Sequence, residues 1–141
     1  MARKEIISNE HFTPAEIEYL KSQRLGRLAT VNSKGEPHVV PVSFRYTADL
    51  DTIDIGGRNI VPTKKYRDAA RQGRVAFVVD DVLPPWQPRG IEIRGRGEVF
   101  PTGGQEIVSS FSPEIIRIYP VRIIGWGIDS NARQAQSRTV E

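Results

Sequence analysis

The residues whose types and spacing can do chemistry lie between Gly56 and Arg71, where Gly56-Gly57-Arg58-Asn59-Ile60-Val61-Pro62-Thr63 runs into Lys64-Lys65-Tyr66-Arg67-Asp68-Ala69-Ala70-Arg71. The pattern reads as a strand end, a loop and a helix start. Thr63 is the expected N-cap, because its hydroxyl accepts from a backbone donor that the first helical turn otherwise orphans. That first turn then carries Lys64, Lys65 and Arg67. A helix N-terminus already presents about half a positive charge and ordinarily attracts Asp or Glu. A phosphate resolves the conflict, since free N–H groups, helix dipole and ammonium groups would converge on one anion. The alternative is a solvated basic face, the usual fate of a charge run. Placement at a helix start favours the anion site.

No protein-based catalytic set accompanies it. His11 and His38, the only histidines, stand 27 positions apart, with no second imidazole at ligand spacing, so no metal site is expected. Asp80-Asp81 reads as turn chemistry rather than as a carboxylate pair, because adjacent residues at a strand end point apart. Gly95-Arg96-Gly97 lacks the third glycine and the strand-to-helix setting of a dinucleotide fingerprint, and no phosphate loop ending Gly-Lys-Ser or Gly-Lys-Thr occurs. The absence of cysteine excludes disulfides, thiolate metal sites and a cysteine nucleophile. Trp86 and Trp126 either stack on a planar ligand or fill core and interface. An anion site without nucleophile, metal cluster or acid–base pair points to a protein that holds a phosphorylated cofactor and lets it do the chemistry.

The elements that must position this stretch follow from pattern. The chain of 141 residues supports one domain, 1–141, with a real core. Its net charge of +3 and pI near 9.4 admit anionic partners, without the dense basic stripe of a polyanion binder. No apolar run approaches the ~20 residues of a membrane span, and Met1–Glu10 lacks a secretory h-region, so a cytoplasmic protein is expected. Phe12-Thr13-Pro14-Ala15-Glu16-Ile17 holds a capping box, a proline at the first helical position and a hydrophobic staple. It starts a helix that runs to about Arg24, buries Ile17 and Leu20, and stops at Gly26. Arg27–Asn32 and Glu36–Tyr46 form a hairpin, with Val40, Val42, Phe44 and Tyr46 on one face. Pro41 marks an edge, a bulge or a place where something approaches the backbone. Thr52–Gly56 is a third strand. The Thr63 helix ends at Gly73 and turns Tyr66, Ala69 and Ala70 inward.

Val75–Val79 reads as a central strand covered on both faces. Asp80–Gly90 is a stiff proline-rich loop presenting Trp86, and Ile91–Phe100 an amphipathic strand. Gln105–Phe111 reads as a short helix, and Glu114–Tyr119 and Val121–Asp129 as two strands separated by Pro120. Residues 1–10 and 130–141 are expected to be flexible. Six or seven strands with two or three short helices and hairpin-length connections make a mainly β, antiparallel barrel.

Four segments in this order resemble a known family: Gly26–Val31, Gly35–Phe44 with Pro41-Val42-Ser43-Phe44 at its end, Thr63–Arg67, and Arg74–Asp81. Together they are similar to the pyridoxamine 5′-phosphate oxidase-like split β-barrel proteins. With Ile91–Val99 and the Pro-Val-Arg and Gly-Trp-Gly of Ile115–Ile128, they are most similar to the actinobacterial branch that uses the deazaflavin coenzyme F420. The resemblance implies a homodimer with two cofactor sites at the subunit interface. The backbone around Pro41, Val42, Ser43 and Phe44 would face the isoalloxazine or deazaflavin ring. Thr63, Lys64 and Lys65 match the phosphate-binding segment, with Gly57, Arg58 and Asn59 in the loop leading to it. A second subunit would contribute Trp86, Arg89 or Trp126. The implied reaction is hydride transfer between the deazaflavin and an electron-poor small-molecule acceptor, the protein supplying orientation. Other readings are an FMN-dependent oxidase or reductase, a non-enzymatic flavin or haem carrier, and a small barrel binding nucleic acid. Against the last, exposed aromatics do not interleave with the basic groups.

Overall fold

Alternating apolar residues at period two build most of this chain, and the computed structural model describes residues 11–128 and 135–140. Among these residues seven strands, β1 (Leu25–Val31), β2 (Pro37–Thr47), β3 (Thr52–Gly56), β4 (Arg74–Leu83), β5 (Gln87–Phe100), β6 (Ile115–Trp126) and β7 (Gln136–Thr139), accompany two α-helices, α1 (Pro14–Ser22) and α2 (Lys64–Gln72). The sheet order is β3-β2-β1-β4-β5-β6-β7, and β3 also pairs with β6. Six antiparallel strands therefore close into a barrel, with β7 added outside the ring, so only short edges remain. Inward residues from all six, among them Leu28, Val42, Ile53, Ile55, Phe77 and Ile93, form one buried cluster.

The helix starts obey their local chemistry. Thr13 and Glu16 make the reciprocal capping box of α1, and Pro14 occupies its first turn. Thr63 caps α2, whose C-cap is Gly73 at φ 73°. Gly26 is not the stop of α1, which ends at Ser22 with Gln23 as C-cap. It sits inside β1, where an added Cβ would lie 2.3 Å from the Phe77 ring. On α2, Ala69 is buried and Tyr66 half-buried, but Ala70 is exposed. The third inward residue is Asp68, which accepts from Thr30 Oγ1 at 3.3 Å and pairs with Arg71 at 3.0 Å.

Several strands depart from the expected pattern for identifiable reasons. β4 buries Val75, Phe77 and Val79 while Ala76 and Val78 are half-buried, so its apolar run has one core face and one outer face. Asp80–Gly90 is not a loop. β4 and β5 pair through Asp80↔Gly90, Asp81↔Arg89 and on to Leu83↔Gln87, leaving only a Pro84-Pro85-Trp86 turn. Asp80 and Asp81 thus stand in a strand and point apart, toward Arg27 and Arg89. Gln105–Phe111 holds no α-helix, only a 3-10 turn over Gly104–Glu106.

Pro120 does not divide β6. β6 pairs with β5 from Ile115 to Trp126, with a bulge where Gly95↔Pro120 follows Arg94↔Arg122. At this point β6 exchanges its other neighbour, β3 at Ile116–Ile118 for β7 at Arg122–Gly125, so the missing N–H costs no ladder bond. The expected flexible C-terminus is likewise a strand over 136–139. β7 is fastened by Arg138, whose guanidinium bonds both Glu16 carboxylate oxygens and the His11 carbonyl. The expectation of flexible segments at 1–10 and 130–134 lies outside the described residues. Among those described, no helix is long and apolar enough to cross a membrane.

Candidate active site

β3 ends sooner than its neighbour, and this opens the site. Its last pair with β2 is Gly56↔Ser43, whereas β2 continues alongside β1 through Val42↔Gly26 to Pro37↔Val31. From Val42 back to Pro37, β2 therefore has one edge without a strand partner among the described residues. The chain leaves β3 at that point as the loop Gly57–Thr63. Pro41-Val42-Ser43-Phe44 and Gly57–Lys65 are thus adjacent through the Ser43–Gly56 pair.

The loop is pinned. The Gly57 carbonyl accepts from Ser112 N at 2.9 Å and from Ser112 Oγ at 3.0 Å, and Ile60 N donates to Ser112 Oγ at 3.3 Å. The Ile60 side chain is wholly buried. The Ile60 carbonyl accepts from Thr63 N at 3.0 Å and Thr63 Oγ1 at 2.6 Å, and Thr63 Oγ1 accepts from Tyr66 N at 3.4 Å. Sequence reasoning missed Ser112. Its only local signal is a Ser-Pro dipeptide ahead of β6, which marks a turn and carries nothing about a partner 55 residues away.

Electrostatically the helix start is unbalanced. The first turn of α2 contains no acidic residue, and the N–H groups of Lys64 and Lys65 belong to the turn that has no intrahelical acceptors. Lys64 is exposed and Arg67 reaches back only to the Pro62 carbonyl. Lys65 is half-buried, and desolvation holds its ammonium below the usual lysine range. No carboxylate lies within salt-bridge distance of it among the described residues. A phosphate here would supply the missing countercharge and accept the orphaned N–H bonds. Arg58 and Asn59 are exposed at the mouth of the same loop.

On β2 the side chains of Val42 and Phe44 are committed inward, Val42 to the core and Phe44 edge-on to Phe77 at 5.2 Å between ring centroids. Pro41 is exposed and Ser43 half-buried. What this segment offers a ligand is therefore backbone, Pro41 and Ser43, a flat edge suited to a planar ring.

Trp86 and Arg89 lie elsewhere on the chain, on the β4–β5 hairpin. Trp86 is 73% exposed at its tip. The Arg89 guanidinium is engaged bidentately by Asp81 at 2.8 and 3.1 Å and lies over the Tyr19 ring. Tyr19 Oη donates to Asp81 at 2.8 Å. The Arg89 bonds hold the Asp81 carboxyl below its ordinary value, while burial pushes the Tyr19 hydroxyl well above its own. In one chain this cluster fastens the hairpin to α1. Trp126 packs over Gly90, where a Cβ would meet its ring at 2.5 Å. His11 bonds Asp51 through its backbone N–H and ring, and among the described residues no group of His, Asp or Glu could hold a metal ion.

The fold agrees with comparison to known proteins. Residues 12–139 match the family pyridoxamine 5′-phosphate oxidase. The chain belongs to that family. Over 122 residues this family member is 48% identical to the 5a,11a-dehydrotetracycline/5a,11a-dehydrooxytetracycline reductase of Streptomyces rimosus, covering 85% of this chain and 86% of that protein. Its barrel superimposes on a FAD-binding protein of Mesorhizobium loti with TM-score 0.64 at 23% identity, over 77% of this chain and 87% of that one. A FAD-binding protein of Mycobacterium smegmatis gives TM-score 0.59 at 23% identity, over 81% and 93%. The present chain is accordingly a flavin-type oxidoreductase of the pyridoxamine 5′-phosphate oxidase family.

Proposed function

We propose that this oxidoreductase is a reductase dependent on the deazaflavin coenzyme F420, acting on an electron-poor organic acceptor. The observation that carries the reading is the start of α2, with two lysines, no first-turn acid and a half-buried Lys65 that has no carboxylate partner among the described residues, set beside the open edge of β2. The residues fit a phosphorylated, planar cofactor. Thr63, Lys64 and Lys65 would hold a phosphate, with Arg58 and Asn59 at the loop mouth. Pro41–Phe44 would present backbone to the ring face. When bound, the deazaflavin supplies the hydride. The chain's contribution is to fix the ring against the β2 edge and to exclude water there, since oriented partners lower the barrier without a protein acid or base. The Streptomyces relative's name supports an acceptor with an electron-poor carbon–carbon double bond in a polycyclic framework.

The working unit we propose is a homodimer with the cofactor at its interface. Support comes from the outer face of β2, β1 and β4, where the register aligns Val39, Ala29 and Ala76 in one row and Pro41, Arg27 and Val78 in the next. Val39 is 64% exposed and Leu25 53%, an apolar surface of the kind that partners cover. Trp86, on its projecting hairpin, would reach across such a contact. FMN is the alternative cofactor of the same site. The test is a fluorescence titration of the purified protein with deazaflavin and with FMN. Deazaflavin binding is expected. Micromolar FMN affinity without deazaflavin binding selects the alternative, and binding of neither overturns both.

A further inference from the structure

On the outer face of β4, β5 and β6 the register sets like charges directly opposite one another. Arg74 pairs with Arg96 across β4 and β5, and Arg94 with Arg122 across β5 and β6. Residues 94 and 96 are two apart on β5 and so leave the sheet on the same side, which makes the four a zigzag over three strands. Opposed like charges destabilise a sheet, and the two carboxylates that flank them on β5, Glu92 and Glu98, offset four arginines only in part. Glu92 pairs with Arg94 at 2.8 Å. Glu98 is the next residue after Arg96 on the same side of β5, about 6.6 Å along the strand, and stands opposite Arg117, which is itself committed to Asp54. Asp80, on β4, is bonded to Arg27. Among the described residues, no carboxylate lies within salt-bridge distance of Arg74, Arg96 or Arg122. Two of the guanidinium groups are instead held by neutral partners. Arg96 lies 4.9 Å above the Tyr119 ring centroid, and Arg122 Nη1 donates to Thr139 Oγ1 of β7 at 2.9 Å.

We propose that this arginine face binds a multivalent anion, a small ligand carrying two or more phosphate or carboxylate groups. Strands about 4.8 Å apart and residues i, i+2 about 6.6 Å apart spread the four positions over roughly 10 Å, the reach of a short string of such groups. Guanidinium forks match phosphate and carboxylate oxygens bidentately. A second copy centred on this face would set arginine against arginine. Single-stranded nucleic acid needs stacking platforms, and Tyr119, the aromatic ring here, is already covered by Arg96. The anion has two possible sources: a free ligand, or an anionic extension of whatever the Lys64–Lys65 loop holds. The proposal does not depend on the cofactor reading.

Calorimetric titration with inorganic tripolyphosphate and with tri-γ-glutamate at about 0.15 M salt tests it. The wild type is expected to bind at least one of these probes, and Arg94→Gln/Arg96→Gln to weaken that binding at least tenfold, the worth of one or two charge-assisted bonds. The melting temperature of that variant should change little, because relief of two opposed like-charge pairs is set against the lost Arg94–Glu92 bond and Arg96–Tyr119 stacking. Arg74→Gln, on an exposed side chain, repeats the test if the double variant melts early. In Lys64→Ala/Lys65→Ala, unchanged probe binding identifies a free ligand on the arginine face. Loss in both double variants identifies one ligand spanning face and loop. Loss in Lys64→Ala/Lys65→Ala alone overturns the proposal, as does no binding of either probe by the wild type or equal binding by the arginine variants. A single-stranded oligonucleotide that outcompetes tripolyphosphate, with affinity growing with length, also overturns it.

Discussion

Replacing Ser112 by alanine should loosen the Gly57–Thr63 loop without touching any residue proposed to contact a cofactor. Ser112 Oγ donates to the Gly57 carbonyl at 3.0 Å and accepts from Ile60 N at 3.3 Å. The Gly57 carbonyl keeps its other bond, from Ser112 N at 2.9 Å, so its loss is partial. The Ile60 N–H keeps no other partner among the described residues. It lies beside a wholly buried side chain, so most of its desolvation penalty is felt. One hydrogen bond forgone and one donor orphaned amount to about 2 kcal/mol, or about 6–8 °C in melting temperature for a domain of this size. Thermal unfolding of Ser112→Ala against wild type gives the global figure, with exposed Ser110 changed to alanine as control. Hydrogen exchange gives the local one, because the Ile60 amide should exchange faster than amides of β4 and β5. An unchanged melting temperature together with an unchanged Ile60 exchange rate would refute the view that Ser112 pins this loop.

Three further outcomes follow from other contacts. Gly95→Ala would place a Cβ 2.1 Å from the Tyr119 carbonyl oxygen; backbone cannot yield there as a flexible side chain would, so a loss of about 3 kcal/mol is expected in denaturant unfolding. Asp54→Asn removes one partner of the part-buried pair with Arg117, whose bonds are 2.8 and 3.0 Å, and should cost about 3–5 kcal/mol, whereas exposed Asp49 changed to asparagine should cost little. Asp81 is held below its ordinary value of 3.8 chiefly by its bonds from Arg89. A carboxyl with a depressed folded-state value contributes stability fully present above the unfolded value and lost as pH falls through the folded one. An acid titration of stability should therefore fall below about pH 4 in wild type, and less steeply in Asp81→Asn.

Much of this architecture is written locally. Thr13, Pro14 and Glu16 announce α1, and Thr63 and Gly73 bracket α2, because caps are satisfied within three or four residues of chain. The alternation in β2, β3 and β5 is equally local. What stayed illegible depends on partners distant in sequence. Pro120 looks like a strand breaker until β3 and β7 are seen to exchange places beside it. The polar stretch 136–139 carries no strand pattern, yet Arg138 reaches Glu16 and docks it. Asp80 and Asp81 resemble turn residues because their partners, Arg27 and Arg89, are far away or across a hairpin. At the candidate site, the unbalanced cations at Lys64 and Lys65 are visible in the sequence. The open β2 edge is not, since it depends on where β3 stops pairing, and neither is the Ser112 anchor.

The most direct test of the proposed cofactor site is the affinity of Lys64→Ala/Lys65→Ala for the deazaflavin, measured by fluorescence titration beside a thermal melt. Lys64 is exposed and Lys65 half-buried without a carboxylate partner, so folding should be nearly unaffected. Two lost charge-assisted bonds to a phosphate, at about 1.5–3 kcal/mol each, should weaken binding by roughly two to four orders of magnitude. Wild-type affinity in a normally folded double variant would contradict the phosphate site and return the start of α2 to an ordinary solvated helix end.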